Sequence, residues 1–351
     1  MDLHSAQALW DVETAWLNTA QYGLAPRASA RALTDAVAVW RHGRGGPEAW
    51  GAASVLAKER FGRLVGVAGS EVTQGASVSQ LLGPAGLAVP DGARVLAPEG
   101  EFTSNLYPWS VHADRGVKVS TVPLGELAAS IDSSTWLVTF SLVQSATGEI
   151  APVEEILAAA RRHGALVCVD ATQAVGWLPV EADRFDALVC ACYKWLMAPR
   201  GLSFGYFSPR LRDRMRPVSA GPNATADIAA SFYSDEMRLS ETASRFDISP
   251  NWFAAVGGAA SLGTVLDIGV ERIHDHDVAM ANRFREGLGL PPGDSAIVSV
   301  GLPDAGERLR AAGVWVSERA GQARLAFHVY TTTEHVDRAV AALRRSGTGV
   351  S

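Results

Sequence analysis

"ALVCACYKWLMAPRG", residues 187–201, decides how the chain is read. Ala187 to Cys192 is an unbroken apolar run with the length and composition of a buried strand, and it leads straight into Lys194. A second run, "ALVCVDATQAVG" (165–176), ends in Asp170, a charge that is costly to desolvate without a cationic or hydrogen-bonding partner. Taken singly, Asp170 could cap a turn and Lys194 could be a solvated loop lysine. Lys194 follows Asp170 by 24 residues (194 − 170), one strand–helix–strand step, so both can stand on neighbouring strand ends facing one crevice.

Outward from this pair, residues 52 to 210 alternate strand-like and helix-like segments. "ARVLAP" (93–98), "VKVSTVP" (117–123), "WLVTFSLV" (136–143) and "LSFGYFS" (202–208) are short, rich in Val, Leu and aromatics, and bounded by Gly, Pro or Asp. "PVEEILAAARRHG" (152–164) reads as an amphipathic helix with acids in its first turn, basic residues in its last, and Gly164 as its stop. This alternation predicts an α/β fold, a mostly parallel sheet covered by helices on both faces. From about residue 255 a long helix-like stretch (254–288) leads into "AIVSVGL", "VWVSER", "ARLAFHVY" and the helix "TEHVDRAVAALRR", a smaller α+β domain. The expected organisation is an N-terminal segment, 1–40, packing with the small domain, then a large domain, 41–250, and a small C-terminal domain, 251–351. The final "SGTGVS" reads as disordered.

Composition narrows the function classes. The chain has 351 residues, 48% of them apolar, and a formal charge of −6, with Lys and Arg scattered rather than clustered. No basic stripe for nucleic acid is present, so a nucleic-acid partner is not expected. No window reaches the roughly 18 apolar residues of a membrane span, and "MDLHSAQALWDVETAWLNTAQYG" has no basic n-region or apolar core. A soluble, cytoplasmic protein is expected, with no membrane partner and no metal. Cys168, Cys190 and Cys192 sit in apolar runs and are odd in number, which fits core residues in a reducing compartment.

One chemistry needs an acid and a lysine at neighbouring strand ends. Pyridoxal phosphate forms a Schiff base with a lysine whose amine is made less basic by burial, and its ring nitrogen stays protonated beside a carboxylate. Its phosphate needs a cradle, commonly a helix N-terminus fed by small residues. In "SEVTQGASVSQLLG" (70–83), Gly75, Ala76 and Ser77 open such a helix, although the same residues serve equally as an ordinary cap. Against a nucleotide-dependent α/β enzyme, no G-x-G-x-x-G follows a strand and no G-x-x-x-x-G-K-[ST] occurs.

With these residues in view, the chain resembles the fold type I pyridoxal-phosphate enzymes of the class V aminotransferase superfamily, which includes cysteine desulfurases, kynureninase, isopenicillin N epimerase and C–S lyases. "WLNTAQYG" (16–23), with Asn18, is similar to a segment near the active site, and "TQGAS" to the phosphate-binding turn. In "EGEFTSNLYPW" (99–109), Phe102 takes the place of the residue that stacks on the pyridine ring, which is His in the desulfurases. "SATGEIAPVEEI" (145–156) resembles the loop and helix under the cofactor. "VDATQAVG" carries Asp170 for the ring nitrogen and Gln173 for the phenolic oxygen, and "YKWLMAPRG" carries Lys194. "SERAGQARLAFHVYTTTEHVDRAV" (317–340) is similar to the terminal strands and helix, with Arg324 where a substrate carboxylate is held.

Departures from the family pattern bear on the reaction. The stretch "RLRAAGVWVSERAGQAR" (308–324), where desulfurases carry a nucleophilic cysteine, has none, which argues against persulfide-forming desulfuration. Ala191 stands where many members place a serine on the phosphate, so phosphate binding is expected to lean on the helix N-terminus, on Ser77, and on a partner-subunit hydroxyl such as Ser249. The resemblance implies a homodimer with active sites near the interface, although "RFDISPNW" (245–252) is shorter than the family's partner-contributed segment. It also implies an amino-acid substrate whose Cα proton is removed, with Lys194 as the catalytic base. Transamination leads the possible outcomes, β-elimination of an S-substituted cysteine and epimerisation are the alternatives, and a binding module that has lost catalysis is the non-enzymatic one.

Overall fold

The computed structural model describes residues 2–344. Seven strands form the central sheet, ordered Val72–Gly75, Ser203–Phe207, Ala187–Ala191, Leu166–Asp170, Thr135–Ser141, Arg94–Pro98 and Lys118–Val122. Only Ser203–Phe207 runs against its neighbours. The expected α/β architecture is therefore present. Strands Leu166–Asp170 and Ala187–Ala191 are buried throughout, as a parallel strand covered on both faces must be. The predicted apolar run to Cys192 pairs as a strand only to Ala191; Cys192 begins the turn, its N–H donating to Leu202 O. Val153–His163 is the predicted amphipathic helix, closed by Gly164 at φ 74°, a left-handed position that costs glycine least.

The C-terminal part departs from one long helix. Trp252–Ile268 and Val270–Gly287 meet at Gly269 (φ 95°) with an 81° bend, because a left-handed residue with no Cβ ends the first helix. No single described helix is long and apolar enough to cross a membrane. Trp252–Ile268 is apolar nearly all round, and it packs on Arg27–Arg41 and Pro47–Leu64, so a helix grouped by sequence with the C-terminal part sits against earlier elements. Ser29 Oγ donates to Gly257 O at 2.9 Å across that contact. The small sheet is Ser317–Arg319, Gln322–Ala326 and Ile297–Val300, all antiparallel, while Val314–Trp315 pairs instead with Ala15–Trp16. Leu17, Phe284, Leu325, Phe327 and Val336 share its core. The tail read as disordered lies outside the described residues.

Candidate active site

Register brings three strand ends together. Ser141 pairs with Asp170, and Asp170 with Val189 two residues before Ala191, so all three strands close on one carboxyl edge. Lys194 stands just past that edge in a tight loop: Met197 N–H returns to Lys194 O at 3.1 Å and Ala198 N–H to Cys192 O at 3.0 Å. Met197 adopts φ 53°, a left-handed value unusual for a non-glycine residue and the kind of strain that persists only where surroundings enforce it. Trp195, two residues before it, is firmly held. Its indole N–H donates to Gln173 Oε1 at 2.8 Å, its carbonyl faces His328 Nε2 at 3.0 Å, and its ring lies 5.5 Å from that of Trp177. On the opposite side Gly23 N–H donates to Tyr193 O at 2.9 Å. A Cβ on Gly23 would lie 2.1 Å from Lys194 O, so only glycine lets the N-terminal segment approach this closely.

Burial sets the charges of the pair. Lys194 is 8% exposed, and desolvation pulls its ammonium down to about 8, opposed by the attraction of Asp170 and reinforced by repulsion from Arg324 and Arg319. Asp170 is pushed the other way, its carboxyl raised by burial and held back by the Thr172 hydrogen bonds and by Lys194. Thr172 fixes the acid's position: its N–H donates to Asp170 Oδ1 at 2.9 Å, and its hydroxyl accepts from Ala191 N–H at 3.0 Å.

Lys194 and Asp170 open into a cavity of about 160 Å³ that also touches Ala76, Ser77, Phe102 and Gln173. At one end Ser77 caps the helix Val78–Leu87, its Oγ accepting from Gln80 N–H, so the free amides of the first turn face the cavity. Behind them, a Cβ on Gly75 would lie 2.2 Å from the Gln80 Oε1 that binds Ala76 N–H, so a larger residue there would displace that side chain. Phe102 forms another wall, its ring centre 5.6 Å from Lys194 Nζ. It is anchored by Glu101, a buried carboxylate that accepts from Phe102 N–H at 2.7 Å and from both the N–H and hydroxyl of Ser141 at 2.6 Å. Gln173 donates to Ala20 O and accepts from Trp195, which leaves one Nε2 hydrogen for anything in the cavity.

A wider cleft of about 670 Å³ continues outward past Phe102, Tyr193 and Lys194 to Arg324. Arg324 is 2% exposed. Its Nη1 donates to Ser145 O at 2.6 Å, whereas Nε and Nη2 are buried with no partner among the described residues. Those two atoms form one edge of the guanidinium, the edge that grips a carboxylate bidentately. Asn18 does not line the cleft; it is 4% exposed and joins Gln21 and Ser317, so it braces the wall. Ser249 is exposed and lies outside both cavities of its own chain. Thr172, Glu101 and Ser145 are given no role by the sequence, His328 is placed by it only on the Arg324 face of the strand, and Arg319, which with Arg308 is the sequence's alternative to Arg324, lines the same cleft. Thr172 and Glu101 were within reach, beside Asp170 and Phe102; the others are brought in by long-range packing.

The donor set fits pyridoxal phosphate: an amine at the end of a parallel strand, a buried acid beside it, an aromatic wall, helix amides at one end, and an unsatisfied guanidinium edge in the adjoining cleft. A family model described as "Aminotransferase class-V" matches residues 55–301. A "probable cysteine desulfurase" of Methanothermobacter thermautotrophicus is 27% identical over 241 residues, 65% of this chain but 59% of the relative's length. The "uncharacterized aminotransferase YcbU" of Bacillus subtilis is 26% identical over 306 residues, 81% of each chain. Among solved structures, that of the cystine C–S lyase C-DES with its product cysteine persulfide superimposes with a TM-score of 0.86 at 19% identity, over 96% of this chain and 99% of that one.

Proposed function

The chain belongs to the class V aminotransferase family, and on that premise we propose that it is a pyridoxal-phosphate enzyme that removes the Cα proton of an amino acid, with transamination as its reaction. The observation that carries this reading is the pairing of a buried Lys194, its ammonium held near 8, with an Arg324 edge that has no partner in the same cleft. When bound, the cofactor supplies an electron sink for the charge left at Cα.

The chain's own residues supply the rest. Arg324 orients the substrate by its α-carboxylate, and its buried setting excludes competing water from the contact. Lys194 Nζ, partly neutral near pH 8, accepts the Cα proton and returns it. Asp170 keeps a negative charge where the cofactor's ring nitrogen is held, and the Thr172 bond fixes its direction. Phe102 bounds the other side with a ring that neither gives nor takes a proton. Cys168, Cys190 and Cys192 are the chain's three cysteines and all are buried; burial pushes the Cys168 thiol to about 12. No thiolate therefore faces the cleft to take sulfur from a substrate, which speaks against persulfide chemistry.

A homodimer and a cytoplasmic location are part of the same proposal. Exposed Phe232, Tyr233 and Met237, together with exposed Tyr107 and Val111, offer apolar surface for a second copy. The purified protein should be yellow, and borohydride should fix the cofactor on Lys194; a label on any other lysine would refute the assignment. A panel of amino acids assayed with keto-acid acceptors, beside release of pyruvate and ammonia, separates transamination from β-elimination. Loss of optical rotation without either product would mark epimerisation.

A further inference from the structure

Beyond the α-carboxylate contact, the cleft holds two more guanidinium groups, those of Arg319 and Arg200. Strands Ser317–Arg319 and Gln322–Ala326 form a hairpin in which Ser317 faces Arg324 and Arg319 faces Gln322. Directly paired residues share a face of the sheet, so Ser317, Arg319 and Arg324 lie on one face, with Arg319 diagonal to Arg324. The turn enforces this. Ala320 (φ 49°) and Gly321 (φ 74°) are both left-handed, the geometry of a two-residue hairpin, and an alanine pays steric strain to adopt it.

Like charges at such a spacing repel unless an anion lies between them. The acid beside Arg319 is turned away: Glu318 lies on the other face of the hairpin, its Oε1 toward Gly306. Arg319 Nη1 donates to the carbonyl of Glu318 at 2.7 Å, and its charge lowers the basicity of both Arg324 and Lys194. Arg200, which lines both this cleft and the inner cavity, lies over Tyr193, its Cζ 5.4 Å from the ring centre. Among the described residues, none of Arg200, Arg319 and Arg324 has a carboxylate partner. The lining of the same cleft includes Tyr22, Leu24, Met197 and Pro199, a wall suited to methylenes.

Building on the function proposed above, we infer that Arg319 and Arg200 form a second anion subsite, so that the substrate is an amino acid, or its keto acid, with an acidic side chain. The first guanidinium, Arg324, takes the α-carboxylate, and Arg319 and Arg200 take the distal acid over the apolar lining.

The test is calorimetric titration of the cofactor-loaded protein with unreactive acids: succinate and glutarate against butyrate and pentanoate of matching length. At least one diacid should bind about tenfold or more tightly than its monoacid, as expected for one added charge-assisted contact. Arg319→Gln should bring that ratio within about threefold, and Arg200→Gln should reduce it. Circular dichroism checks that each variant is folded. Equal affinity of diacid and monoacid in the wild type, or a ratio unmoved by both substitutions, overturns the subsite. Calorimetry does not depend on turnover, so a second subsite can fail while Lys194 still carries the cofactor, and colourless protein that still prefers diacids would instead sink the functional reading.

Discussion

His328 Nε2 lies 3.0 Å from the carbonyl oxygen of Trp195, the residue that follows Lys194. A carbonyl only accepts, so His328 donates there, and its Nδ1 stands 3.2 Å from Asp277 Oδ2, whose other oxygen is 3.0 Å from His276 Nδ1. Both His328 and Asp277 are wholly buried. The chain of contacts ties the helix Val270–Gly287 of the C-terminal part to the loop that carries the lysine.

Replacing the centre of that chain should therefore be costly. Asp277→Leu leaves two imidazole nitrogens without their acceptor inside the core, and we expect a loss of about 2 kcal/mol or more in urea unfolding. A loss well under 1 kcal/mol would show that the two imidazoles find other partners.

The basicity of Lys194 predicts a pH profile. In cofactor-free protein, an amine-reactive reagent should label Lys194 with a half-maximal rate near pH 8, against about 10.5 for an ordinary lysine. The corresponding stability effect has a definite sign. Between about 8 and 10.5 the unfolded chain holds a proton on this lysine that the folded chain has released, so Lys194's contribution to stability rises with pH across that window. Below 8 the fold bears the full cost of a buried ammonium. A labelling midpoint near that of free lysine would remove the basis for this profile.

Asp170→Asn should separate stability from catalysis. Burial raises the carboxyl's pKa, so its charge is a cost to the cofactor-free fold, and the amide should leave the melting temperature unchanged or higher. Cofactor should still bind, whereas turnover should fall by about a hundredfold or more, since the charge opposite the ring nitrogen is gone. Turnover close to that of the wild type would reduce Asp170 to a turn cap.

Arg324→Lys keeps the charge and loses the planar fork. With Nε and Nη2 as the free edge, we expect KM for an amino acid to rise about tenfold or more, equivalent to about 1.4 kcal/mol. Equal preference for an amino acid and its decarboxylated amine, in wild type and variant alike, would exclude this role.

Much of the site can be read along the chain. Asp170 and Lys194 each close a short apolar run, and in a parallel sheet neighbouring strands end on the same edge, so spacing alone brings them together. Gly75 to Ser77 before an apolar helical run, and Gly164 after an amphipathic one, are equally local signals. Even the face of Arg324 is local, since alternation along its strand sets Arg324 and Ala326 opposite Ala323 and Leu325.

What the tertiary structure alone decides depends on which distant groups meet. The break at Gly269 does not stand out in composition because Gly257, Gly258 and Gly263 lie inside the same first helix without ending it. Asn18 looks like a cleft residue in "WLNTAQYG" but spends its amide on Gln21 and Ser317, the latter 299 positions away. His328 reaches Trp195 across 133 positions, and Arg319 reaches the Arg324 face only through a strained two-residue turn. Periodicity and capping act over a few residues and so are written locally, whereas the partner a buried polar group finds is set by the packing of elements remote in sequence.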